Sequence, residues 1–231
     1  CDKYCTYCIV PYTRGREKSR AIQEVVDDIA QLVEKGVKEV TLLGQNVNSF
    51  GKGNESPTGE AETFPKLLRA IDGDPRNESL RRIRFTSSHP LDFSDELVEC
   101  YDRDRGVSRL CAQLHLPVQS GSNRILQKMA RHHAIESYEA QMTKLKALRP
   151  GIGLSTDLIV GFPTETEADF QETLGLLHRM QYDQVFVFAY SPRPGTRAAK
   201  LPDDVPQAEK LRRASARWSR HWSTESRPRT E

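Results

Sequence analysis

The sequence predicts an α/β fold built from parallel βα units. Five short apolar runs are typical of buried strands, stretches with helical spacing of apolar residues separate them, and no linker divides the chain. With 37% hydrophobic and 29% charged residues, the 231-residue chain has a soluble globular composition. No apolar run approaches the ~20 residues that cross a bilayer. The net charge of +2 gives no general electrostatic argument for nucleic-acid binding. These observations predict one domain.

The first half of the chain contains two strand patterns and three helix patterns. A helix is predicted between Ser19 and Gly36, because apolar residues recur at helical spacing and glycine is typical of a helix C-terminus. A strand follows over residues 39–43, and residues 51–62 form a polar loop with glycine and proline. The other elements are a short helix, a strand and a helix capped by Ser94, over residues 64–72, 82–87 and 94–103.

The second half of the chain repeats the alternation of strand and helix. Strands are predicted over residues 113–118, 154–160 and 184–190. Helices are predicted over residues 123–129, 135–148, 167–180 and 206–218. Five strands separated by helices favour parallel pairing, because each helix returns the chain to the same end of the sheet.

A polar or glycine-containing segment follows each predicted strand. These segments are residues 44–46, 87–89, 119–122, 161–163 and 191–195. In a parallel βα barrel, the carboxyl ends of the strands meet at one face, where ligand-binding groups gather. Turn propensity alone also explains some of these residues. The five strand ends therefore predict a binding face on one rim.

Three of the five cysteines, Cys1, Cys5 and Cys8, form a C-x3-C-x2-C pattern within the first eight residues. Their number is odd and their spacing is short, so a shared metal explains them better than disulfides. Zinc usually takes four ligands, but no second C-x2-C pair exists and the nearest histidine, His89, is distant in sequence. Three thiolates suit a [4Fe–4S] cluster with one iron open to a substrate. A structural zinc site with distant ligands and an incidental group of cysteines remain alternatives.

The other two cysteines have no further cysteine at the sequence spacing of a metal-binding motif. Cys100 ends an apolar-periodic stretch and Cys111 precedes a predicted strand. Free cysteine often behaves as a small buried hydrophobic residue. We therefore expect both side chains to be buried.

The sequence resembles the radical S-adenosylmethionine (SAM) superfamily in the C-x3-C-x2-C motif, and its methylthiotransferases of the MiaB type in six longer segments. The segments are residues 1–20 (CDKYCTYCIVPYTRGREKSR), 41–50 (TLLGQNVNSF), 82–90 (RIRFTSSHP), 114–123 (LHLPVQSGSN), 155–170 (STDLIVGFPTETEADF) and 188–196 (FAYSPRPGT). The resemblance extends from residue 1 to about residue 213. It implies a partial (βα)6 TIM-like radical SAM barrel whose first strand is missing from this chain.

The resemblance implies an iron–sulfur, SAM-dependent tRNA methylthiotransferase. Such an enzyme attaches a methylthio group at C2 of N6-isopentenyladenosine next to the tRNA anticodon, through a 5′-deoxyadenosyl radical. One alternative is the RimO type, which methylthiolates an aspartate of a ribosomal protein. The segments at 43–48 (LGQNVN) and 11–15 (PYTRG) resemble the tRNA branch more closely. A second alternative is an inactive truncated fragment.

The resemblance also implies which residues bind the cofactors. Cys1, Cys5 and Cys8 would hold the [4Fe–4S] cluster, whose fourth iron would chelate S-adenosyl-L-methionine. The residues expected to contact SAM are Tyr7, Gly44, Gln45, Asn46, Ser87, Gln119, Ser120, Asp157 and Gly161. Residues 44–46 depart from the Gly-Gly-Glu that is common at this place in the superfamily. Alternative roles are a core position for Tyr7 and a turn position for Gly161.

Further expectations concern the extent of the chain and its partners. Residues 1–215 would be a radical SAM core truncated at its N-terminus, and residues 216–231 a divergent, disordered basic tail. The family's N-terminal methylthiotransferase domain, with a second, auxiliary [4Fe–4S] cluster, and its C-terminal TRAM domain would be absent. The fragment is then not competent alone. The expected partners are tRNA containing N6-isopentenyladenosine and a reductase or flavodoxin-type electron donor, for a cytoplasmic, monomeric protein that does not bind membranes.

Overall fold

The computed structural model describes residues 1–52 and 61–216. Most of the loop predicted over 51–62 and all but the first residue of the tail predicted over 216–231 lie outside the described residues. Within the described ranges, no helix combines the length and the apolar character that a membrane span requires.

Five parallel strands form the centre of the molecule, as predicted. They are β1 (Glu39–Leu42), β2 (Arg82–Phe85), β3 (Gln113–His115), β4 (Gly153–Val160) and β5 (Gln184–Ala189). β1 pairs with β2, and β4 lies between β3 and β5. The two groups meet where Ile83 forms a parallel bridge to Leu110 and accepts a 3.0 Å hydrogen bond from the Cys111 amide. The spatial order of the strands therefore follows the chain, as in a βα barrel.

Helices cover the outer face of the strands. They are α1 (Val10–Arg14), α2 (Ile22–Glu34), α3 (Phe64–Gly73), α4 (Asp95–Glu99), α5 (Asn123–Lys128), α6 (Ile135–Leu148), α7 (Glu167–Met180) and α8 (Gln207–Ser215). Alternate strand residues such as Ile83, Leu114 and Leu158 point outward and are buried in the main hydrophobic core with residues of α2 to α7. The core thus lies between the strands and the helices.

Local sequence explains where α7 begins and where α2 ends. Thr166 caps α7 through its hydroxyl, which accepts from the Asp169 amide at 3.3 Å, while the Asp169 carboxylate accepts from the Thr166 amide at 2.8 Å. This reciprocal capping box satisfies two amides that the first helical turn leaves free. α2 ends as expected before Gly36, whose φ of +93° is a conformation that favours glycine.

Several predicted boundaries were wrong, two of them for identifiable reasons. The helix from Ser94 ends at Glu99, because the chain folds back so that the Val107 amide donates to the Cys100 carbonyl at 2.8 Å. The strand over 113–118 ends at His115, because the Thr156 hydroxyl donates to the Leu116 carbonyl at 2.9 Å and accepts from the Val118 amide at 3.0 Å in place of backbone pairing. The last helix ends at Ser215 rather than at residue 218. The short helix α1, with Pro11 in its first turn, was not predicted.

Inward-pointing strand residues line an open, polar interior. Glu39 accepts hydrogen bonds from Arg82 and Arg84, and Arg84 also donates to the Gln113 side chain at 2.6 Å. A cavity of about 370 Å³ extends from these residues past His115. Other residues that line it are Thr41, Thr86, Cys111, Ser155, Gln184 and Phe186.

Candidate functional site

The cysteine loop, residues 1–9, lies at the rim formed by the carboxyl ends of the strands. The Thr6 amide donates to the Met129 carbonyl at 2.9 Å, and the Thr6 carbonyl accepts from the Ala198 amide at 2.8 Å. The Thr6 hydroxyl also donates to the Lys128 carbonyl at 3.0 Å. The end of α5 and the segment after β5 therefore hold the backbone next to Cys5.

The loop carries three free thiols of unequal exposure. Cys5 is buried, whereas Cys1 and Cys8 are half-buried. The Cys8 amide donates to the Cys5 carbonyl at 3.0 Å, which turns the chain between these two ligand candidates. Across residues 1–52 and 61–216, no three His, Cys, Asp or Glu side chains are close enough to hold one metal ion. A four-iron cluster distributes three thiolates over three iron atoms, so it does not need that compact ligand set.

Two nitrogen donors surround the Cys5 sulfur. Arg131 Nη1 lies 3.7 Å from Cys5 Sγ, and His89 Nε2 lies 3.8 Å from it. His89 Nδ1 accepts from the Leu91 amide at 3.2 Å, which assigns the ring proton to Nε2 and makes it a donor toward the sulfur. Burial, with the nearby charge of Arg131, lowers the pKa of His89 to about 2 and keeps the ring neutral. Both N–H groups can donate to the sulfur of a cluster-bound Cys5, so the site fits an iron–sulfur cluster.

The segment that follows β1 brings one predicted SAM contact toward the cysteine loop. Asn46 is buried and donates to the Asp92 carboxylate at 2.6 Å, which also binds Lys3 at 2.8 Å and Lys52. Burial opposes ionisation of Asp92, but the hydrogen bonds from the two lysines outweigh it and lower the pKa of the carboxyl. Among the described residues the Asn46 side-chain oxygen has no hydrogen-bond partner, so it can accept from an amino group such as that of SAM. Gly44 and Gln45 are exposed beside it.

Tyr7 packs on a second hydrophobic cluster below the loop. This cluster is composed of Ile125, Met129, Phe162, Tyr190 and Ala198. Burial raises the pKa of the Tyr7 hydroxyl, which stays protonated. This packing agrees with the core position given as the alternative for Tyr7, and its contact with SAM stays a prediction.

Of the other predicted SAM contacts, Ser87 and Gln119 follow β2 and β3, whereas Asp157 lies within β4. Ser87 and Gln119 have φ angles of +65° and +74°, and the Gln119 backbone pairs with both Asp157 and Ile159 at 2.9 Å. Positive φ in a non-glycine residue is strained and concentrates at functional sites. The Asp157 carboxylate points into the interior, with Oδ2 3.4 Å from His115 Nε2. A contact between any of the three and SAM stays a prediction.

Ser120 and Gly161 contact the outer helices instead. The Ser120 hydroxyl lies 3.5 Å from that of Thr173 in α7 and accepts from the Ser122 amide at 3.2 Å. A Cβ on Gly161 would lie 2.4 Å from Lys210 Cγ in α8, and the φ of Gly161 is +69°. Glycine is therefore needed here for helix packing and for backbone conformation, whatever its relation to SAM.

The two remaining cysteines differ from each other. Cys100 is fully buried as predicted, and burial raises the pKa of its thiol to about 11. Cys111 is only half-buried and lines the interior cavity, so the prediction of a buried side chain was wrong. The reason is its place at the break between β2 and β3, where its backbone bonds to Ile83 and its side chain is left at the cavity.

Sequence reasoning did not identify Arg131 or Asp92 as part of this site. A buried arginine has no periodic or spacing signal, because charge normally predicts exposure. Asp92 follows a histidine and a proline in a short turn and looks like ordinary turn chemistry.

Comparison with known proteins supports the resemblance. Residues 1–177 match the radical SAM superfamily. The chain is 50% identical over 216 residues to tRNA-2-methylthio-N(6)-dimethylallyladenosine synthase of Neisseria gonorrhoeae, and 51% identical over the same length to that of Chromobacterium violaceum. Each alignment covers 94% of this chain and 47% of the relative. The chain thus spans about half the length of the curated relatives that it matches.

Solved structures support the fold. The radical SAM methyltransferase TsrM from Kitasatospora setae superimposes with a TM-score of 0.66 at 17% identity, covering 86% of this chain and 37% of that one. Coproporphyrinogen III oxidase (HemN) from Escherichia coli has a TM-score of 0.54 at 20% identity, covering 91% of this chain and 48% of that one. At these identities the likeness is one of fold alone, and it confirms the predicted radical SAM barrel.

Proposed function

This chain belongs to the radical SAM superfamily, and we propose that it is the catalytic core of a tRNA methylthiotransferase. The proposed reaction attaches a methylthio group at C2 of N6-isopentenyladenosine next to the anticodon. The observation that carries the proposal is the identity of about 50% along 94% of the chain with tRNA-2-methylthio-N(6)-dimethylallyladenosine synthases. The superfamily match over residues 1–177 includes the cysteine loop and the first four polar strand ends.

In this proposal Cys1, Cys5 and Cys8 hold the [4Fe–4S] cluster. The cluster and SAM, when bound, supply the one-electron cleavage that yields a 5′-deoxyadenosyl radical. The chain's own residues position and enclose the cofactors: Arg131 and His89 donate to the Cys5 sulfur, and Asn46 offers a free acceptor oxygen. The apolar cluster below Tyr7 keeps water away from one side of the site.

The barrel interior is the proposed place for the adenine. Phe186 lines the cavity next to His115, and Phe188 lies on the same face of β5 two residues toward the rim. Their side chains are 40% and 54% exposed. Exposed aromatic faces bind unstacked nucleic-acid bases by stacking, and the Asp157 carboxylate can accept from an exocyclic amine.

The proposal also covers the rest of the enzyme. The radical SAM core would extend over residues 1–215 and be followed by a basic tail, with an N-terminal domain that carries an auxiliary cluster and a C-terminal TRAM domain supplied by a longer chain. The electron donor would be a reductase or a flavodoxin-type protein. We place the enzyme in the cytoplasm as a monomer.

Mass spectrometry of a deletion strain tests the substrate. We expect tRNA adenosine from the strain to lose the 2-methylthio group while keeping the isopentenyl group. The wild-type gene should restore the modification, and a gene with Cys5→Ala should not. Unchanged tRNA together with a ribosomal protein that has lost a methylthio group on aspartate would instead support the RimO-type alternative.

A further inference from the structure

Arg131 is a buried cation without a carboxylate partner among the described residues. The residue is 5% exposed. Its Nη2 donates to the Pro117 carbonyl at 2.5 Å, its Nη1 lies 3.7 Å from Cys5 Sγ, and its Nε has no partner. A buried charge is costly unless an opposite charge compensates it. The side-chain groups that Arg131 faces are the thiol of Cys5 and the neutral hydroxyl of Tyr7.

The backbone around Arg131 is strained in a way that fixes its position. Ala130 and His132 have φ angles of +54° and +55°, in the left-handed region that non-glycine residues rarely adopt. Between them, the Arg131 amide donates to the Leu126 carbonyl at 3.0 Å. Strain of this kind persists where the surrounding structure requires one conformation, often at functional sites. The segment therefore holds the guanidinium against the cysteine loop.

His89 approaches the same sulfur from another part of the chain. Its Nε2 lies 3.8 Å from Cys5 Sγ, and its backbone is held by Asn48, whose side chain bonds to the His89 amide and carbonyl at 3.0 Å each. Cys5 thus has one charged and one neutral N–H donor. Neither Cys1 nor Cys8 has a comparable side-chain partner in the described part of the chain.

We propose that Arg131 and His89 donate to the Cys5 sulfur in the loaded protein and raise the reduction potential of the cluster. The inference rests on the proposed function only in that the three cysteines hold a [4Fe–4S] cluster. Reduction adds one electron from the donor to a group that is already anionic. A nearby cation and N–H···S hydrogen bonds stabilise the reduced form more than the oxidised form, which raises the potential. The anionic cluster in turn provides the counter-charge that Arg131 lacks.

The test compares Arg131→Met and Arg131→Lys with the wild-type chain after anaerobic reconstitution. We expect Arg131→Met to lower the ratio of reduced to oxidised cluster about tenfold at a fixed ambient potential, which is ~59 mV for a one-electron couple. Arg131→Lys should produce a smaller shift, because it keeps the charge. Electron paramagnetic resonance of the reduced cluster during a redox titration measures both.

Thermal unfolding of the iron-free protein separates this role from a structural one. The matched control is Arg213→Met, since Arg213 is buried to 4% exposure but pairs with Glu165 at 2.7 Å. We expect the control to lower the unfolding temperature and Arg131→Met to leave it unchanged. If Arg131→Met lowers the unfolding temperature as much as the control does, or leaves the reduction potential unchanged, this inference is wrong. Neither result contradicts the proposed cluster. A wild-type protein that takes up no iron overturns the proposed cluster and this inference together.

Discussion

Two arginines are buried to nearly the same extent, yet their surroundings differ. Arg213 in α8 donates to Glu165 at 2.7 Å and to Glu209 at 2.9 Å, so its charge is compensated within the protein. Arg131 beside the cysteine loop meets a carbonyl and a thiol instead. In the α8 region, carboxylates of the protein therefore balance the buried charge of Arg213. Next to the cysteine loop, no carboxylate of the described residues balances the charge of Arg131.

The contrast extends to the neighbours of each arginine. In the α8 region, Lys210 is buried against Gly161 and donates to Asp203 at 2.6 Å. Near the cysteine loop, by contrast, several buried polar atoms have no hydrogen-bond partner among the described residues. They are Asn46 Oδ1, Ser88 Oγ, Arg131 Nε and His133 Nε2, whereas the α8 region has the Tyr190 hydroxyl, next to Lys210. Free donors and acceptors in one place are typical of a ligand site rather than of a packing interface.

The largest expected effect comes from removing the buried ion pair between Arg213 and Glu165 in the α8 region. Arg213→Met leaves the Glu165 carboxylate buried without its partner, which should lower the free energy of unfolding by about 3–5 kcal/mol. Urea denaturation measures this loss. The exposed neighbour Arg212 is the control, and Arg212→Met should cost less than about 1 kcal/mol. Equal effects of the two substitutions would refute the distinction between buried and exposed pairs.

A smaller effect is expected where α8 packs against the end of β4. Gly161→Ala would place a methyl group 2.4 Å from Lys210 Cγ on a residue with φ of +69°. Overpacking and backbone strain together should lower the free energy of unfolding by about 2–3 kcal/mol. Gly36→Ala is the control, because Gly36 has φ of +93° but no atom within 4 Å of the added methyl group. The control isolates the backbone cost, about 1 kcal/mol, and an equal loss in both variants would exclude the packing contribution.

The smallest expected effect is a pH dependence of the cysteine-loop region. Burial, together with the charge of Arg131, lowers the pKa of His133 to about 4 in the folded protein. An unfolded histidine has a pKa of about 6.5. Above pH 6.5 the His133 ring is neutral in both the folded and the unfolded state, so it does not lower the free energy of unfolding. Between pH 6.5 and 4 the unfolded state binds one and the folded state does not. The free energy of unfolding should therefore fall by an amount on the order of 2 kcal/mol.

His133→Gln tests this assignment. The variant should show a flatter dependence of the free energy of unfolding on pH between 6.5 and 4, measured by urea denaturation of the iron-free protein. His132→Asn is the matched control, because His132 is exposed and asparagine tolerates its left-handed backbone. A slope that His133→Gln leaves unchanged would assign the pH dependence to other groups.

Sequence patterns predicted the elements whose cause is local. The strand pattern of residues 154–160 and the helix pattern of residues 167–180 are local signals, and β4 and α7 lie where those signals indicate. The end of β3 had no such signal, because it is set by the Thr156 hydroxyl of the neighbouring strand, which bonds to Leu116 and Val118. Local chemistry thus accounts for most of the fold.

Features that depend on distant contacts could not be predicted. The partners of Arg131 are 14 and 126 residues away in sequence, and no pattern indicates that the charge is buried. Likewise, the sequence places Ser120 and Gly161 at strand ends but does not indicate that they contact α7 and α8. Side-chain direction in a turn follows from the packing of the whole domain.

Iron uptake by the wild-type chain tests most directly the claim that the cysteine loop holds a cluster. After anaerobic reconstitution with iron and sulfide, we expect about four irons per chain and a charge-transfer absorbance. Cys5→Ala should abolish both, and Cys111→Ala, which removes a thiol at the cavity, should abolish neither. Uptake of zinc without iron, or equal iron binding by Cys5→Ala and the wild type, would contradict the account.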